Sequence, residues 1–587
     1  MCDNCCCLCE LKWHQRIFQI VYKFTDFKYF FAFTRQFKRV KHSSEFCLTK
    51  AKMDHLVDMP TIPEVFNGKK VLITGATGFV GKVLLEKLLR SCPGISEIII
   101  LVRGHTEAER LEKCRKLVQY KVFDRIREEC PDAFNKVRCI HGEIAWKNMG
   151  IAPAHLEKLC EEVSFVFHCA ANVRFDCDPR LTLRDNLKGV NKLLKLCKRM
   201  PNLEAVVHVS TAFSFCNQPV IGEEIYTERT GPLPVLDALK WMTPDQLKHF
   251  AAYLTEGRPS LYHASKALAE ILISEVKDDL PIIIVRPSIV TASMSEPFPG
   301  WIDNYNGPSG FIALSSKGIL KTLLVKDKVN ADWVPVDVVA NTLIVAAHSI
   351  AVKRKAGCSP AIHAPKVPIV NCVFPEANQI TWTRIVDITI PILFKYPSAT
   401  VITMPGGVVT SSQTLNTMCK YLLHYLPAFL LDSFLILKWR DNGMVNTYTK
   451  IHSVLNHLQL YTTHQFLFTS KNMQRLNAEM SLADRRVFPI DLSQLNWPLY
   501  MQNYVLGVRR YFLKEKDDSL PAARRRVTML TMFHYCSIVV LSGGALYFLG
   551  NRLSTKLSLL SAFEAKNALA ELFRSSRNYL PVFNLHK

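Results

Sequence analysis

The chain has 587 residues, which is long for one domain and suits two domains with appendages. Its 73 lysine and arginine residues exceed its 51 aspartate and glutamate residues by 22, but no basic run is long enough to resemble a nucleic-acid arm. We therefore expect no nucleic acid partner. The dispersed charge suits anionic lipid or a phosphate-rich substrate, and a generic basic surface is the alternative.

The 19 cysteines are scattered along the chain, apart from a cluster between Cys2 and Cys9. No C-x-x-C pair is matched by a second such pair or by histidines at zinc spacing. The sequence therefore predicts a reducing compartment, no metal site and no disulfide framework.

Residues 1–52 are predicted to be a poorly ordered N-terminal extension outside any fold. Lys23, Asp26 and Lys28 interrupt its apolar run, so it is neither a spanning helix nor a good signal peptide. Two interpretations remain open. The segment is a weak membrane-surface or targeting element, or it is dispensable, since Met53 would make a plausible alternative start.

A buried strand, a glycine turn and a helix follow one another over residues 69–86. Gly75, Gly78 and Gly81 have G-x-x-G-x-x-G spacing. A side chain at Gly75 or Gly78 would keep a pyrophosphate from the backbone N–H groups at the helix N-terminus, and Gly81 allows close packing of helix and strand. This arrangement predicts dinucleotide binding.

The next predicted strand, over residues 97–102, ends at Arg103, and the first carboxylate after it is Glu107. An acidic residue near this position binds the ribose of the non-phosphorylated cofactor, whereas a cation suits a 2′-phosphate. The sequence therefore favours NADPH. The alternative is that Arg103 is a solvated charge at a strand end.

Strands alternate with helical patterns from Lys70 to about Ala347. The further strands are predicted at 137–141, 163–167, 205–209 and 282–285, with helical patterns at 111–129 and 186–200. This alternation predicts an α/β fold, a Rossmann-type doubly wound parallel sheet. Ligands then belong at the carboxyl ends of the strands.

Two of these strand ends carry candidate site residues. Ala170 and Ala171 are small enough for a cofactor to lie against the backbone after the fourth strand. Ser210 and Thr211 follow the fifth strand, where a hydroxyl can hydrogen-bond a substrate carbonyl or simply cap the strand end.

Tyr262 and Lys266 lie one turn apart on one face of a predicted helix. A phenol with a pKa of about 10 transfers protons poorly near neutrality, and a nearby ammonium is expected to lower that pKa. Tyr262 then becomes a usable general acid for a carbonyl oxygen that receives a hydride.

The order of these motifs resembles the extended short-chain dehydrogenase/reductase superfamily, and more closely the fatty acyl-CoA reductase family. The stretches that carry the resemblance are 74–81, 167–171, 173–176, 208–212, 285–290, 296–304 and 331–337. The Pro/Gly/Trp loop at 296–304 is the most specific of them. The resemblance extends over about 68–514, with departures at Gln379, where proline is expected, and Met404, where an aromatic is usual.

The resemblance implies NADPH-dependent reduction of a long-chain or very-long-chain acyl-CoA to a primary alcohol with release of coenzyme A. It makes Tyr262 the proton donor, with Lys266 tuning it, and Thr211 or Ser210 the holder of the carbonyl oxygen. The cofactor contacts that it implies are Gly75, Thr77, Gly78, Phe79, Val80, Gly81, Arg103, Ala170, Ala171, Lys266 and Pro287.

Together with the apolar segment near the C-terminus, the resemblance predicts a domain order. The predicted units are a reductase domain at 66–350, a helical C-terminal domain at 370–515, a transmembrane helix at 529–549 and a tail at 550–587. Two alternatives remain: a membrane-anchored reductase of a sterol or sugar nucleotide, and a non-catalytic NADPH-binding scaffold. The first gives no account of the 296–304 loop, and the intact pair of Tyr262 and Lys266 argues against the second.

Two apolar stretches bear on membrane lipid as a partner. Pro427 and Asp432 break the stretch at 421–439, so we favour a buried or membrane-apposed helix pair, lining an acyl site, over a span. The segment 529–549 contains no Asp, Glu, Lys or Arg. It predicts a single-pass protein, and the arginines before it, Arg524 to Arg526, predict a cytosolic catalytic domain. We expect the membrane to be that of the endoplasmic reticulum or peroxisome. The alternative is a re-entrant hairpin at Gly543-Gly544.

Overall fold

The computed structural model describes residues 59–557, except 105, 277–279, 357–366 and 438–442, and without the side chains of 436–437 and 549–557. The extension predicted for 1–52 and most of the predicted tail lie outside the described residues.

A seven-stranded parallel sheet forms the centre of the fold, with the strand order β10-β6-β5-β4-β1-β2-β3. The described strands are β1 (Lys70–Thr74), β2 (Glu97–Val102), β3 (Val137–His141), β4 (Val163–His168), β5 (Ala205–Val209), β6 (Ile282–Pro287), β7 (Ile289–Thr291), β8 (Thr322–Leu324), β9 (Trp333–Pro335), β10 (Ile369–Cys372) and β11 (Val408–Thr410). The six predicted strands are confirmed. The seventh, β10, comes from the start of the range predicted as helical and pairs with β6 at the sheet edge.

Helices cover both faces of the sheet and form most of the C-terminal part. They are α1 (Ile62–Val65), α2 (Phe79–Ser91), α3 (Glu107–Val118), α4 (Asp124–Glu129), α5 (Pro153–Glu162), α6 (Pro179–Leu183), α7 (Gly189–Cys197), α8 (Pro232–Trp241), α9 (Pro244–Thr255), α10 (Leu261–Ser274), α11 (Pro308–Ser316), α12 (Val336–Lys355), α13 (Trp382–Lys395), α14 (Gln413–Lys420), α15 (Leu426–Leu437), α16 (Met444–Thr463), α17 (Lys471–Glu479), α18 (Leu482–Val487), α19 (Trp497–Gly507) and α20 (Leu520–Leu557). Single π-type turns lie at Arg184–Lys188, Tyr421–Tyr425 and Val508–Phe512.

The strands of the sheet are almost entirely buried, as parallel strands with helices on both faces must be. Strand β1 lies between β2 and β4, so the chain reverses its direction of winding at this point. Thr74 pairs with His168, and His168 pairs with His208, which brings the carboxyl ends of β1, β4 and β5 together. A crevice at such a reversal is where doubly wound sheets bind ligands.

Helix α20 is a continuous helix of 38 residues. It passes through Gly543 and Gly544 without a break, so the hairpin alternative does not describe this segment. The stretch Asp517–Phe548 is apolar enough to cross a membrane, and none of its most apolar window is buried in the protein. Helix α12 is also long and apolar enough to cross a membrane, but 89% of its most apolar stretch is buried inside the protein, as in a core helix.

One disulfide is formed among the described residues, where the sequence predicted no disulfide framework. It joins Cys114 on α3 to Cys139 on β3, whose Cα atoms are 6.6 Å apart. The two residues are 25 positions apart, and they meet because α3 packs against β3 after the chain crosses from β2. The sequence spacing gives no sign of this contact.

Candidate active site

The glycine turn between β1 and α2 leaves no room for a side chain at Gly75 or Gly81 and so forms an open cradle of backbone. Gly75 has φ +74°, and a Cβ atom there would lie 2.6 Å from the backbone nitrogen of Ala170. A Cβ atom at Gly81 would lie 2.2 Å from the carbonyl oxygen of Gly75. Gly78 is the N-cap of α2, whose first turn carries no acidic residue. The pyrophosphate of a dinucleotide fits here, because N–H groups at a helix N-terminus bind anions.

The other turn residues have different surroundings. The side chain of Thr77 is exposed, whereas Phe79 and Val80 are half-buried at the start of α2. The Phe79 ring stacks on Trp301, with 5.3 Å between the ring centroids. The Phe79 side chain is therefore engaged in packing, which leaves its backbone N–H as the group that could contact a cofactor.

Two buried histidines, which the sequence analysis did not select, support the loop that carries Ala170 and Ala171. The hydroxyl of Thr74 lies 2.7 Å from Nδ1 of His168 and accepts a hydrogen bond from the Ala170 N–H at 3.4 Å. The rings of His168 and His208 stack at 5.3 Å. Burial lowers the pKa of His168 to about 3, so this histidine is neutral near pH 7.

Tyr262, Lys266 and Thr211 meet at the carboxyl end of β5. Tyr262 lies in the first turn of α10, and its hydroxyl is hydrogen-bonded to the side chain of Thr211. Lys266, one turn later, donates from Nζ to the carbonyl oxygen of Val209 at 2.8 Å. The side chains predicted to hold and protonate a carbonyl oxygen are thus neighbours.

The sequence predicted that Lys266 lowers the pKa of Tyr262, but in the structure this pKa is raised. Burial raises this pKa above that of a free phenol, and the hydrogen bond with Thr211 only partly opposes the effect. Burial also lowers the pKa of Lys266 to about 8. Desolvation disfavours the charged forms of both groups, so Tyr262 is a neutral phenol with a proton to donate.

The Ser210 hydroxyl is hydrogen-bonded to a fully buried ion pair of Glu270 and Arg286. This hydroxyl donates to the carboxylate of Glu270 and lies 3.0 Å from the Ser214 hydroxyl. Nε of Arg286 donates to both Glu270 oxygens, at 3.1 and 3.0 Å. Because Ser210 is engaged in this network, Thr211 is the better candidate to contact a substrate.

An asparagine that the sequence analysis did not select connects the cofactor loop to the helix of Tyr262. Asn186 lies in a π-type turn, where its side chain accepts from the Asn172 N–H at 2.7 Å and donates to the Ser265 hydroxyl at 3.0 Å. Single π-turns occur frequently at functional sites. Asn186 therefore positions both the loop after β4 and α10.

Arg103 lies at the end of β2 as predicted, with 63% of its side chain exposed. Its Nε is 2.9 Å from a carboxylate oxygen of Glu143, and the Lys113 ammonium donates to its backbone carbonyl at 2.8 Å. A Cβ atom on Gly104 would lie 2.9 Å from Cγ of Arg110, so three basic residues lie around this strand end.

Pro287 is the last residue of β6, and its carbonyl oxygen accepts from the Ala212 N–H at 2.8 Å. This hydrogen bond fixes the ends of β5 and β6 beside each other, next to Thr211. The hydroxyl of the following residue, Ser288, is buried and has no hydrogen-bond partner among the described residues.

The C-terminal helical part contributes to the surroundings of Tyr262. The Tyr461 hydroxyl, from the end of α16, lies 2.6 Å from Nε2 of His263, the residue after Tyr262. The Tyr461 ring packs edge-on against Phe213, with centroids 4.8 Å apart. Its backbone carbonyl accepts from the indole N–H of Trp382 at 2.8 Å. The two parts of the chain thus form this site together.

The loop at 296–304 joins α2 to α19. Trp301 contacts the glycine-turn helix through Phe79, as described above. A Cβ atom at Gly300 would lie 2.0 Å from the Asn503 carbonyl oxygen, and one at Gly507 would lie 1.7 Å from that of Gly300. Asp337 accepts backbone hydrogen bonds from three successive residues that lead into this loop, 294–296, at 2.8 to 3.0 Å.

Comparisons with known proteins agree with this architecture. Two family models, both described as male sterility protein, match residues 73–343 and 423–515. Fatty acyl-CoA reductase 1 from Gallus gallus is 38% identical over 480 residues, covering 81% of this chain and 91% of that protein. The Homo sapiens protein of the same name is 37% identical with the same coverage.

Solved structures share the fold. The terminal R domain of the myxalamid PKS-NRPS biosynthetic pathway aligns with a TM-score of 0.50 and 16% identity, over 78% of this chain and 97% of that one. The reductase domain of a non-ribosomal peptide synthetase from Mycobacterium tuberculosis gives a TM-score of 0.50 with 18% identity, over 78% and 96%.

Proposed function

The chain belongs to the fatty acyl-CoA reductase family, and we propose that it reduces long-chain or very-long-chain acyl-CoA with NADPH as the reductant. It is an oxidoreductase that uses a nicotinamide cofactor and forms a fatty alcohol from a fatty acyl-CoA. The observation that carries the proposed mechanism is the meeting of Tyr262, Thr211 and Lys266 beside the glycine cradle.

The preference for NADPH rests on the basic residues at the end of β2. Arg103 is largely exposed, and Arg110 and Lys113 lie close to the same strand end. A guanidinium can bind a phosphate through two parallel N–H groups, so this position suits a 2′-phosphate. Glu143 holds Arg103 in place at the strand end and would share it with the phosphate.

The proposed reaction uses the same proton donor twice. A bound nicotinamide cofactor supplies the hydride for each reduction. Thr211 holds the thioester carbonyl oxygen and Tyr262 donates a proton to it, which gives a hemithioacetal. The carbon–sulfur bond then breaks, the hydroxyl proton passes to the sulfur, and coenzyme A leaves as its thiol, with the aldehyde as the other product. The aldehyde accepts a second hydride, from the cofactor, and a second proton, from Tyr262. Two reductants and two protons therefore yield one alcohol.

Lys266 supports this chemistry electrostatically. Its ammonium is held at the end of β5, one helical turn from Tyr262. A positive charge there stabilises the phenolate that remains after each proton transfer, and it offers a hydrogen-bond donor to a cofactor ribose. Resupply of the proton to Tyr262 then restores the site for the next reduction.

An apolar pocket in the C-terminal part suits the acyl chain. It lies between α11 and α13, above the small sheet of β8 and β11, and its wall includes Phe311, Trp382, Ile385, Ile390 and Val409. Trp382 connects it to the site, because its indole N–H donates to Tyr461, which contacts His263. Burial of methylene groups in such a pocket favours long chains.

Helix α20 serves as the proposed membrane anchor, with the reductase part in the cytosol. Arg524, Arg525 and Arg526 precede its apolar segment, against Arg552 and Lys556 after it. The positive-inside tendency then places the N-terminal side in the cytosol, on the endoplasmic reticulum or the peroxisome. In protease-treated sealed microsomes, an epitope after residue 587 should survive while the reductase part is degraded. Degradation of the epitope would contradict this topology.

The cofactor proposal has a direct test in detergent-solubilised protein. With a saturated acyl-CoA of sixteen carbons, two NADPH should be consumed for each coenzyme A thiol released, and NADH should be much less effective. One NADPH per thiol would indicate an aldehyde-forming enzyme. Equal rates with NADH would contradict the cofactor preference.

A further inference from the structure

The helical segment at residues 421–437 exposes apolar residues and buries polar ones, which is the reverse of an ordinary surface helix. Its outer face is exposed although it is built from large apolar residues: Tyr421, Leu422, Leu423, Leu426, Phe429, Leu430, Leu431 and Phe434. Its inner face, which packs on the protein, contains His424, Ala428 and Asp432 at every fourth position. A helix that borders water shows the reverse arrangement.

The inner face is fixed by polar contacts. Nε2 of His424 accepts from the Lys321 N–H at 2.8 Å, and its Nδ1 lies 3.0 Å from Nε2 of His452. The carboxylate of Asp432 accepts from the Met444 and Val445 N–H groups at 3.0 and 2.9 Å and thus caps α16. The orientation of the segment is therefore determined by the fold.

The outer face is too large an apolar surface to be explained by scattered surface residues. Its eight members are each 40 to 62% exposed and all lie within fourteen residues of one helical segment, 421–434. Contiguous apolar patches of this kind mark sites of interaction with a protein or a membrane. The polar inner face excludes a transmembrane span, because His424 and Asp432 are bound to the protein.

We propose that this outer face lies in the interfacial region of a lipid bilayer, as a membrane contact separate from α20. The proposal rests on the proposed anchoring of α20. Arg524, in the first turns of α20, donates to the Lys395 carbonyl at 2.8 Å, and Ala523 and Val527 are buried. The anchor is thus packed on α13 and holds this part of the protein close to the membrane.

The residues at the start of the segment fit the same partner. Lys420 immediately precedes it. Basic residues beside an interfacial helix attract anionic headgroups, while large apolar side chains enter the acyl boundary. Tyr421 supplies an aromatic ring at one end, which is typical of the membrane–water interface.

Site-specific photocrosslinking in the full-length chain tests this contact. A diazirine amino acid is placed at Phe429 or Phe434, the chain is reconstituted in vesicles of phosphatidylcholine and phosphatidylserine, and adducts are identified by mass spectrometry. Leu482 on α18, 74% exposed, is the matched control outside the segment, and Val539 on α20 is the positive control. Because all four side chains are exposed, the fold should tolerate the label. Alcohol formation by each labelled chain at the wild-type rate is the check that it does.

We expect lipid adducts at 429, 434 and 539, with at least tenfold less at 482. Lipid adducts at 539 but not at 429 or 434 would overturn the interfacial contact while the anchor stands. Crosslinked dimers at 429 would also overturn it and show a face between two copies. Equal labelling at 482 would show non-specific capture and overturn the proposal. An absence of lipid adducts at 539 would remove the proposed anchor as well.

Discussion

The Tyr461 hydroxyl lies 2.6 Å from Nε2 of His263, so the C-terminal helical part directly contacts the residue next to Tyr262. Burial lowers the pKa of His263 to about 3, and the neutral ring needs a partner for each nitrogen. His263 and Tyr461 are 198 positions apart in the sequence. The hydrogen bond therefore couples the docking of the helical part to the geometry of the site.

Tyr461→Phe should lower both stability and activity. It leaves a buried ring nitrogen without its partner, which costs ~1–3 kcal/mol in the free energy of unfolding. We expect a fall in kcat without a change in NADPH affinity. Tyr448→Phe is the matched control, since Tyr448 is on the same helix and donates to the Ile319 carbonyl at 3.1 Å. Equal losses of kcat in the two variants, at equal stability, would show that Tyr461 has only a structural role.

Ser210 and Thr211 should separate stability from catalysis. Thr211→Val removes the hydroxyl next to Tyr262 and should reduce kcat by ~10²-fold, as for loss of one donor to a reacting oxygen. Ser210→Ala removes a donor to the buried Glu270 and should lower the melting temperature while kcat changes little. Thermal unfolding and alcohol formation, measured on both variants, check this. The opposite pattern would assign the catalytic hydroxyl to Ser210.

Arg103→Ala should weaken NADPH much more than NADH. A charge-assisted contact to phosphate contributes ~1.5–3 kcal/mol, so the NADPH affinity should fall by roughly ten- to more than a hundredfold. Glu143→Gln removes the competing carboxylate and should leave NADPH binding intact or tighter. Fluorescence titration with each cofactor measures this. If Arg103→Ala weakens both cofactors equally, Arg103 is structural.

The rate of alcohol formation should fall as the pH rises through about 8. Burial lowers the pKa of Lys266 to about 8, so its ammonium is present below that pH and is lost above it. Lys266→Arg retains the positive charge and should move the fall to higher pH, although with a lower rate. A pH–rate profile of kcat for both proteins tests this. An unchanged profile in the arginine variant would exclude Lys266 as the titrating group.

The sheet could be predicted from the sequence because a buried parallel strand is a local apolar run. Strand β10, with four residues, could not, since its place beside β6 depends on pairing with residues about 85 positions earlier. Helix α12 shows the limit of composition, because it is as apolar as a span and is nevertheless a core helix. Only the packing around a helix separates these cases.

In the candidate site, too, the sequence reveals the residue types but not the contacts that depend on tertiary packing. Ser210 and Thr211 are adjacent hydroxyls of similar chemistry, and consecutive residues point to opposite sides at a strand end. The sequence does not say which one meets Tyr262, because that depends on Glu270 and Arg286. The sequence likewise does not reveal the raised pKa of Tyr262, since desolvation depends on residues that are distant in sequence, such as Phe175, whose ring packs against it.

The central claim is that Tyr262 donates the proton in acyl-CoA reduction, and Tyr262→Phe tests it most directly. Microsomes from cells that express the wild type or the variant are incubated with NADPH and acyl-CoAs of graded length, and the alcohols are identified. General acid catalysis contributes ~10²–10⁴ in rate, so the variant should lose at least 99% of alcohol formation while it binds NADPH normally. Near-wild-type alcohol formation by Tyr262→Phe would contradict this account.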